Sequence, residues 1–170
     1  INVTKDLGSI VLVTGNAYYL NYKSEEIPVV GAKASGVKGI SLKDDNLVSL
    51  ISYNNHEYIT VFTDNKTAKR VKITDLETHS RAKKGSLILK KTKTVTYKVL
   101  NAFASSSRDL VLTKADSEIN TLKNSDIPIF ELASTGSNIS KYKLDTASLV
   151  AIIEKTTNEQ PKKEEIIQEE

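Results

Sequence analysis

Between residues 55 and 105, eleven lysine and arginine residues stand against four acids. Ten of them fall in three groups. Lys66, Lys69, Arg70 and Lys72 share one strand-like stretch, Arg81, Lys83 and Lys84 precede a glycine, and Lys90, Lys91 and Lys93 follow it. The chemistry of such groups is the neutralisation of a polyanion. Ammonium and guanidinium groups that meet several phosphates release condensed counterions, which gives strong, salt-dependent and sequence-blind binding. The flanking stretches are nearly balanced, with four lysines against five acids over 6–54 and six basic residues against seven acids over 106–157. A single charge run reads as a solvated face. Three groups gathered in one stretch, at turns and along one strand, read as a contact surface. Alternation from Ala68 to Ile73 places Arg70 and Lys72 opposite Val71 and Ile73.

Other chemistries find weaker support. Gly31-Ala32-Lys33-Ala34-Ser35-Gly36-Val37-Lys38 has the glycine spacing of a phosphate loop. Val37 stands where the lysine belongs, and no Ser or Thr follows Lys38. His56 and His79 lack metal-ligand spacing, and no cysteine is present to join them. Asp44-Asp45-Asn46 lacks the glycine and terminal glutamate of a calcium loop and reads as a turn. No Gly-x-Ser-x-Gly elbow occurs. These readings predict no catalytic residue, metal or cofactor in the chain. The seven tyrosines sit mostly in strand-like runs and read as packing residues. They form no platform for stacked bases, so the backbone of duplex DNA is favoured over single strands.

The elements that must position the basic groups repeat. Three segments, Gly8–Asn54, Glu57–Ala104 and Arg108–Glu154, share one order of features. Each opens with an apolar strand ending in threonine: Thr14, Thr63 and Thr113, 49 and 50 residues apart. A polar turn follows (Gly15-Asn16, Asp64-Asn65, Ala115-Asp116), then an alternating second strand. An acidic–apolar pair comes next: Glu26-Ile27, Asp75-Leu76, Asp126-Ile127. A loop reaches Gly36, Gly85 or Gly136. The pattern predicts a third strand (Gly39–Leu42, Ser86–Lys90, Ile139–Lys143) and a fourth (Leu47–Tyr53, Thr94–Leu100, Leu149–Glu154). Four strands per fifty residues without helical periodicity predict an all-β, propeller-like array of about three blades, each unable to bury its faces alone.

Composition bounds this reading. The chain has 170 residues, a net charge of +3 and no cysteine, methionine or tryptophan. Without tryptophan or paired glycines it is neither a WD nor a kelch array. No apolar run is long enough to cross a bilayer as a helix. Residues 1–22 lack the pattern of a signal peptide, which with the absent cysteine predicts a reducing, cytoplasmic setting. The first residue is isoleucine, which predicts a piece of a longer protein. Residues 158–170 hold five glutamates against two lysines and read as an acidic, disordered tail after an array spanning 1–157. That tail would either compete for the basic surface or merely aid solubility.

The stretch Gly31-Ala32-Lys33-Ala34-Ser35-Gly36-Val37-Lys38-Gly39-Ile40-Ser41-Leu42-Lys43, set after an apolar strand ending in threonine, resembles the C-terminal domains of bacterial type IIA topoisomerase A subunits. The likeness is strongest over 8–54 and weaker over 57–154. The Gln-Arg-Arg-Gly-Gly-Lys-Gly box of gyrase has no counterpart here, which favours the topoisomerase IV branch of Gram-positive bacteria. The resemblance implies a β-pinwheel, a disc of four-stranded antiparallel blades that exchange strands with their neighbours. Family discs usually have five or six blades, so three imply part of a disc. The resemblance further implies a basic rim that binds and bends double-stranded DNA and guides the transported segment in decatenation and relaxation. The catalytic chemistry would lie elsewhere in an ATP-dependent parent enzyme. That enzyme would work in the nucleoid with the B subunit of topoisomerase IV, together with a second A subunit. Lys33 and Lys38 would occupy the rim loop of the first repeat, and Arg81, Lys83 and Lys84 that of the second. The third loop, Leu132-Ala133-Ser134-Thr135-Gly136, has no basic residue, which puts its DNA contact in doubt. The alternative is a structural or protein-interaction propeller with an acidic protein partner.

Overall fold

A computed structural model describes residues 8–94 and 96–150. The acidic stretch 158–170 and the end of the third repeat lie outside the described residues. The first sheet is ordered β3-β1-β2-β6 and uses β1 (Ser9–Thr14), β2 (Tyr18–Lys23), β3 (Leu47–Tyr53) and β6 (Ser86–Leu87). The second is ordered β10-β5-β4-β7, from β4 (Tyr58–Thr63), β5 (Thr67–Lys72), β7 (Val99–Ser105) and β10 (Ser137–Asn138). The third, β11-β8-β9, uses β8 (Leu110–Ala115), β9 (Glu118–Lys123) and β11 (Thr146–Leu149). All strand pairings are antiparallel, and the fold is all-β with β-pinwheel blades.

Each recurring residue has a local task. In the first two repeats the threonine hydroxyl receives a backbone N–H across the hairpin turn: Tyr18 N to Thr14 Oγ1 at 3.1 Å and Thr67 N to Thr63 Oγ1 at 3.4 Å. The acidic–apolar pairs close one 3₁₀ turn each, at Ser24–Glu26, Ile73–Asp75 and Asn124–Asp126. The apolar member donates its N–H back to Ser24, Ile73 or Asn124 at 2.9, 3.2 and 3.1 Å. Leu76 and Ile127 are then buried, so the turn plants an apolar anchor after each second strand.

Two strand expectations shift. The third strand is only two residues long in the second and third repeats, and Gly39–Leu42 forms none. After Leu87 the chain dives inward and buries Ile88 and Leu89 completely, which ends the pairing. The fourth strand begins at Val99 and Thr146 rather than Thr94 and Leu149. Register explains this shift, since Thr63 must face Val99 and Thr113 must face Ala147 for those apolar residues to reach the core.

The short strands cross between repeats. Ser86–Leu87 belongs to the second repeat but pairs with Tyr18–Tyr19 of the first. Ser137–Asn138 of the third pairs with Thr67–Ala68 of the second. Glycine makes the crossing possible. Gly85 has φ +82°, and a Cβ there would lie 1.9 Å from the Tyr19 carbonyl oxygen. The equivalent Gly36 meets nothing within 4 Å, since no sheet precedes its repeat among the described residues.

The cores lie between blades. Val11 and Val13 pack with Ile59, Val61 and Val71, and Phe62 packs with Val111 and Ala147. The central first strand, β4, therefore buries alternate residues on opposite neighbours. The outer face of the first blade, built by Ile10, Leu12, Leu20, Tyr22 and Ile40, borders an open apolar groove of about 410 Å³ beside Leu50 and Val37.

Candidate nucleic-acid interface

The hairpin turns and exchanged strands bring the basic residues of the second repeat beside the first. Ala82 N donates to Gly39 O at 2.8 Å, and Ser41 N donates to Lys83 O at 2.8 Å. The loop of the second repeat thus runs along the loop of the first. Arg81 secures this contact. Its backbone N–H reaches Glu26 Oε2 at 2.7 Å, its Nε reaches Glu26 O at 3.1 Å, and its Nη1 donates to Lys38 O.

Of the twelve basic residues singled out in the sequence, eight are exposed: Lys33, Lys38, Lys72, Lys83, Lys84, Lys90, Lys91 and Lys93. Lys66 and Arg81 are half-buried. Among the described residues no ammonium or guanidinium group lies within 4.0 Å of a carboxylate oxygen. The one close acid–base contact is His79 to Glu77 at 3.6 Å. The surface charge of the second repeat is therefore not neutralised from within.

Lys69 and Arg70 correct the expectation. Lys69 is fully buried, and its Nζ donates to the carbonyls of Glu131, Leu132 and Ser134 at 2.7, 2.9 and 3.2 Å. Burial lowers its pKa from the ordinary 10.5 to about 8. Arg70 is 6% exposed; its Nε donates to Ile127 O at 2.6 Å, its Nη2 to Ser125 O at 3.1 Å, and its guanidinium lies 4.7 Å from the Tyr58 ring centre. Both residues join the second blade to the third and offer nothing to a phosphate. Alternation could not reveal this, because β5 is covered on both faces.

Two lysines outside the three groups, Lys43 and Lys98, join the basic surface beside Tyr18. Lys43 lines a cavity of about 190 Å³ with Lys84 and Lys91, above the ring of Tyr18. Lys98 lines a neighbouring cavity of about 210 Å³ with Lys91 and donates from Nζ to Asn16 Oδ1. Asp44 and Asp45 stand on the first cavity's wall. Burial alone would raise the Asp45 carboxyl. Hydrogen bonds from Thr14 and the backbone N–H groups of Asn46 and Asn16, with nearby Lys98, hold it below its ordinary pKa. A tyrosine doublet in which alternation turns one ring inward and the other out was the only hint: Tyr19 is buried and Tyr18 partly exposed.

The family model described as DNA gyrase C-terminal domain, beta-propeller, matches residues 8–54 and 57–102. The chain belongs to this family. It is 31% identical over 169 residues to the A subunit of DNA topoisomerase 4 from Streptococcus pneumoniae serotype 4, covering 90% of this chain and 20% of that protein. It is 39% identical over 94 residues to the A subunit of DNA topoisomerase 4 from Streptococcus pyogenes serotype M3, covering 55% of this chain and 11% of that one. The crystal structure of the C-terminal domain of DNA topoisomerase IV superposes with a TM-score of 0.80 at 29% identity, over 88% of this chain and 48% of that structure. The chain thus spans a tenth to a fifth of these curated relatives. The resemblance read from Gly31–Lys43 is the family found, and the exchanged strands it implied are present at Ser86–Leu87 and Ser137–Asn138. Among the described residues no helix is long and apolar enough to cross a membrane.

Proposed function

We propose that this gyrase-type C-terminal domain binds duplex DNA through the exposed lysines of its second repeat, and that it serves a type IIA topoisomerase of the topoisomerase IV kind. The observation that carries this reading is a surface of unpaired lysines: Lys72, Lys83, Lys84, Lys90, Lys91 and Lys93 are exposed with no carboxylate of the described residues within 4.0 Å. Such a surface repels itself unless an external polyanion neutralises it. The relatives are named as A subunits of DNA topoisomerase 4, which makes DNA the polyanion of choice.

In the parent enzyme the domain would bend the transported segment and guide it to the catalytic core during decatenation and relaxation. The parent would depend on ATP. In the bacterial cytoplasm it would assemble with the B subunit of topoisomerase IV, together with a second A subunit. Lys33 and Lys38, exposed in the first repeat, would extend the contact, with Lys66 at its edge.

Fluorescence anisotropy of a labelled duplex at several salt concentrations tests the reading. The logarithm of the binding constant should fall with the logarithm of salt by about 0.9 per phosphate contacted, and duplexes of unrelated sequence should bind alike. Tight binding to an acidic protein with none to duplex DNA would replace this reading with a protein-interaction role.

A further inference from the structure

Tyr18 stands where the exchanged strand of the second repeat crosses the first sheet, paired with Leu87. The Lys84 ammonium lies 4.1 Å from its ring centre and the Lys91 ammonium 4.8 Å. Two like charges gathered at one ring repel each other, and neither has a carboxylate of the described residues within 4.0 Å. Lys43 faces the same cavity of about 190 Å³, a volume suited to a phosphate group with its water. Two acids, Asp44 and Asp45, line the cavity as well, so three lysines face two carboxylates there. Asp45 Oδ1 accepts the N–H groups of Asn16 and Asn46 at 2.9 and 2.8 Å, and Asp44 offers its backbone carbonyl to Asn16 Nδ2 at 3.2 Å.

From this geometry we infer that Tyr18, Lys84 and Lys91 form a phosphate clamp at the junction of the first two blades, seating one DNA backbone phosphate between the ammonium groups and the phenol. The clamp rests on the DNA-binding reading and sharpens it, because neither repeat contains the site alone. Tyr18 comes from the first repeat and both lysines from the second, so strand exchange builds the site. A phosphate there would receive two charge-assisted hydrogen bonds and one from the phenolic O–H.

The next junction is an internal comparison. Thr67 pairs with Asn138 as Tyr18 pairs with Leu87. Thr135 precedes Gly136 as Lys84 precedes Gly85, and Tyr142 stands six residues beyond Gly136 as Lys91 stands beyond Gly85. The cavity at that junction, about 250 Å³, is lined by Asn65, Thr67, Thr92, Thr94, Tyr97 and Thr135, without a charged side chain. The same fold thus carries the cationic clamp at one junction and a neutral threonine surface at the other. The phenol registers its neighbours too: chiefly Lys84, with Lys91, holds the Tyr18 pKa below its ordinary value against the opposing effect of burial.

Two measurements test the clamp. In anisotropy titrations with duplex DNA, Lys84→Gln with Lys91→Gln should flatten the salt slope by about 0.9 in total, the share of the one phosphate they seat. Tyr18→Phe should weaken binding about 10- to 100-fold with the slope unchanged, as expected for one lost hydrogen bond to a charged acceptor. The second measurement follows the Tyr18 ring carbons by NMR as inorganic phosphate is added, with chloride at equal ionic strength as the control. The Tyr18 signals should move with phosphate and not with chloride, and should stay still in the double glutamine variant. If the wild type binds duplex DNA while all three substitutions leave affinity and slope untouched, the clamp is overturned and the DNA reading stands. Phosphate-specific Tyr18 shifts without duplex binding would uphold the clamp as an anion site and remove the DNA reading.

Discussion

The Nζ of Lys69 lies 2.7 Å from the carbonyl oxygen of Glu131, across the junction of the second and third blades. One ammonium group caps a loop turn by also reaching Leu132 O and Ser134 O, so a residue of the basic second repeat acts as a fastener. A lysine held this way binds its proton less tightly when folded than when unfolded, because burial disfavours the charged form.

The sign of the pH dependence follows. The folded pKa of Lys69 is about 8 against an ordinary 10.5, so between these values the unfolded chain holds the proton more firmly. The contribution of Lys69 to stability should therefore rise with pH across that window and be smallest below pH 8. Urea unfolding of the wild type and Lys69→Met at pH 7.5 and pH 10 measures it. The difference between the two proteins should move in favour of the wild type by up to about 3 kcal/mol at the higher pH. The salt slope of DNA binding should be the same for both proteins at neutral pH, since Lys69 reaches no phosphate.

Gly85 is the position where strand exchange tolerates no side chain. An added Cβ would stand 1.9 Å from the Tyr19 carbonyl oxygen, at φ +82°. Gly85→Ala should cost more than about 3 kcal/mol in thermal or urea unfolding, because backbone must shift against backbone. Gly36→Ala has the same handedness, φ +89°, but open space, and should cost about 1–2 kcal/mol. Equal losses would mean that the Ser86–Leu87 crossing contributes little.

Asn124 holds a buried polar cluster. Its Oδ1 accepts from Thr60 Oγ1 at 2.8 Å, and its Nδ2 donates to Ser105 Oγ at 3.1 Å and Ser106 O at 3.0 Å. Replacing it with leucine would leave these partners unsatisfied and add bulk, so Asn124→Leu should lower stability by about 1–3 kcal/mol in calorimetry while leaving duplex affinity of the folded protein unchanged.

The basic loop should divide by role. Lys83→Ala with Lys84→Ala should flatten the salt slope of duplex binding by about 0.9 or more, since Lys91 keeps its hold on the phosphate that Lys84 shares. Lys141→Ala with Lys143→Ala, in the nearly neutral third repeat, should leave it almost unaltered. Arg81→Ala should act mainly on stability, by about 1 kcal/mol or more, because its guanidinium is spent on Glu26 O and Lys38 O. Anisotropy and unfolding curves on the same three variants separate the effects.

Much of this molecule is legible from its sequence. The spacing of Thr14, Thr63 and Thr113, the turn-forming pairs ending in Ile27, Leu76 and Ile127, and the glycines at 36, 85 and 136 determine three all-β repeats. Those features are local: a hydroxyl capping a turn, a 3₁₀ turn burying its next residue, a backbone with positive φ. The excess of positive charge in the second repeat is equally plain. Tertiary structure alone decided which of those charges face outward. Lys69 and Arg70 look like surface residues on an alternating strand, yet the third blade covers them and supplies the carbonyls they need. Tyr18 looks like a packing residue until the exchanged strand sets Lys84 and Lys91 over it from the next repeat. The physical reason is common to both cases. A β-blade has two faces, and periodicity along one strand says which residues share a face, but only the neighbouring blade determines whether that face meets apolar side chains, carbonyl oxygens or water.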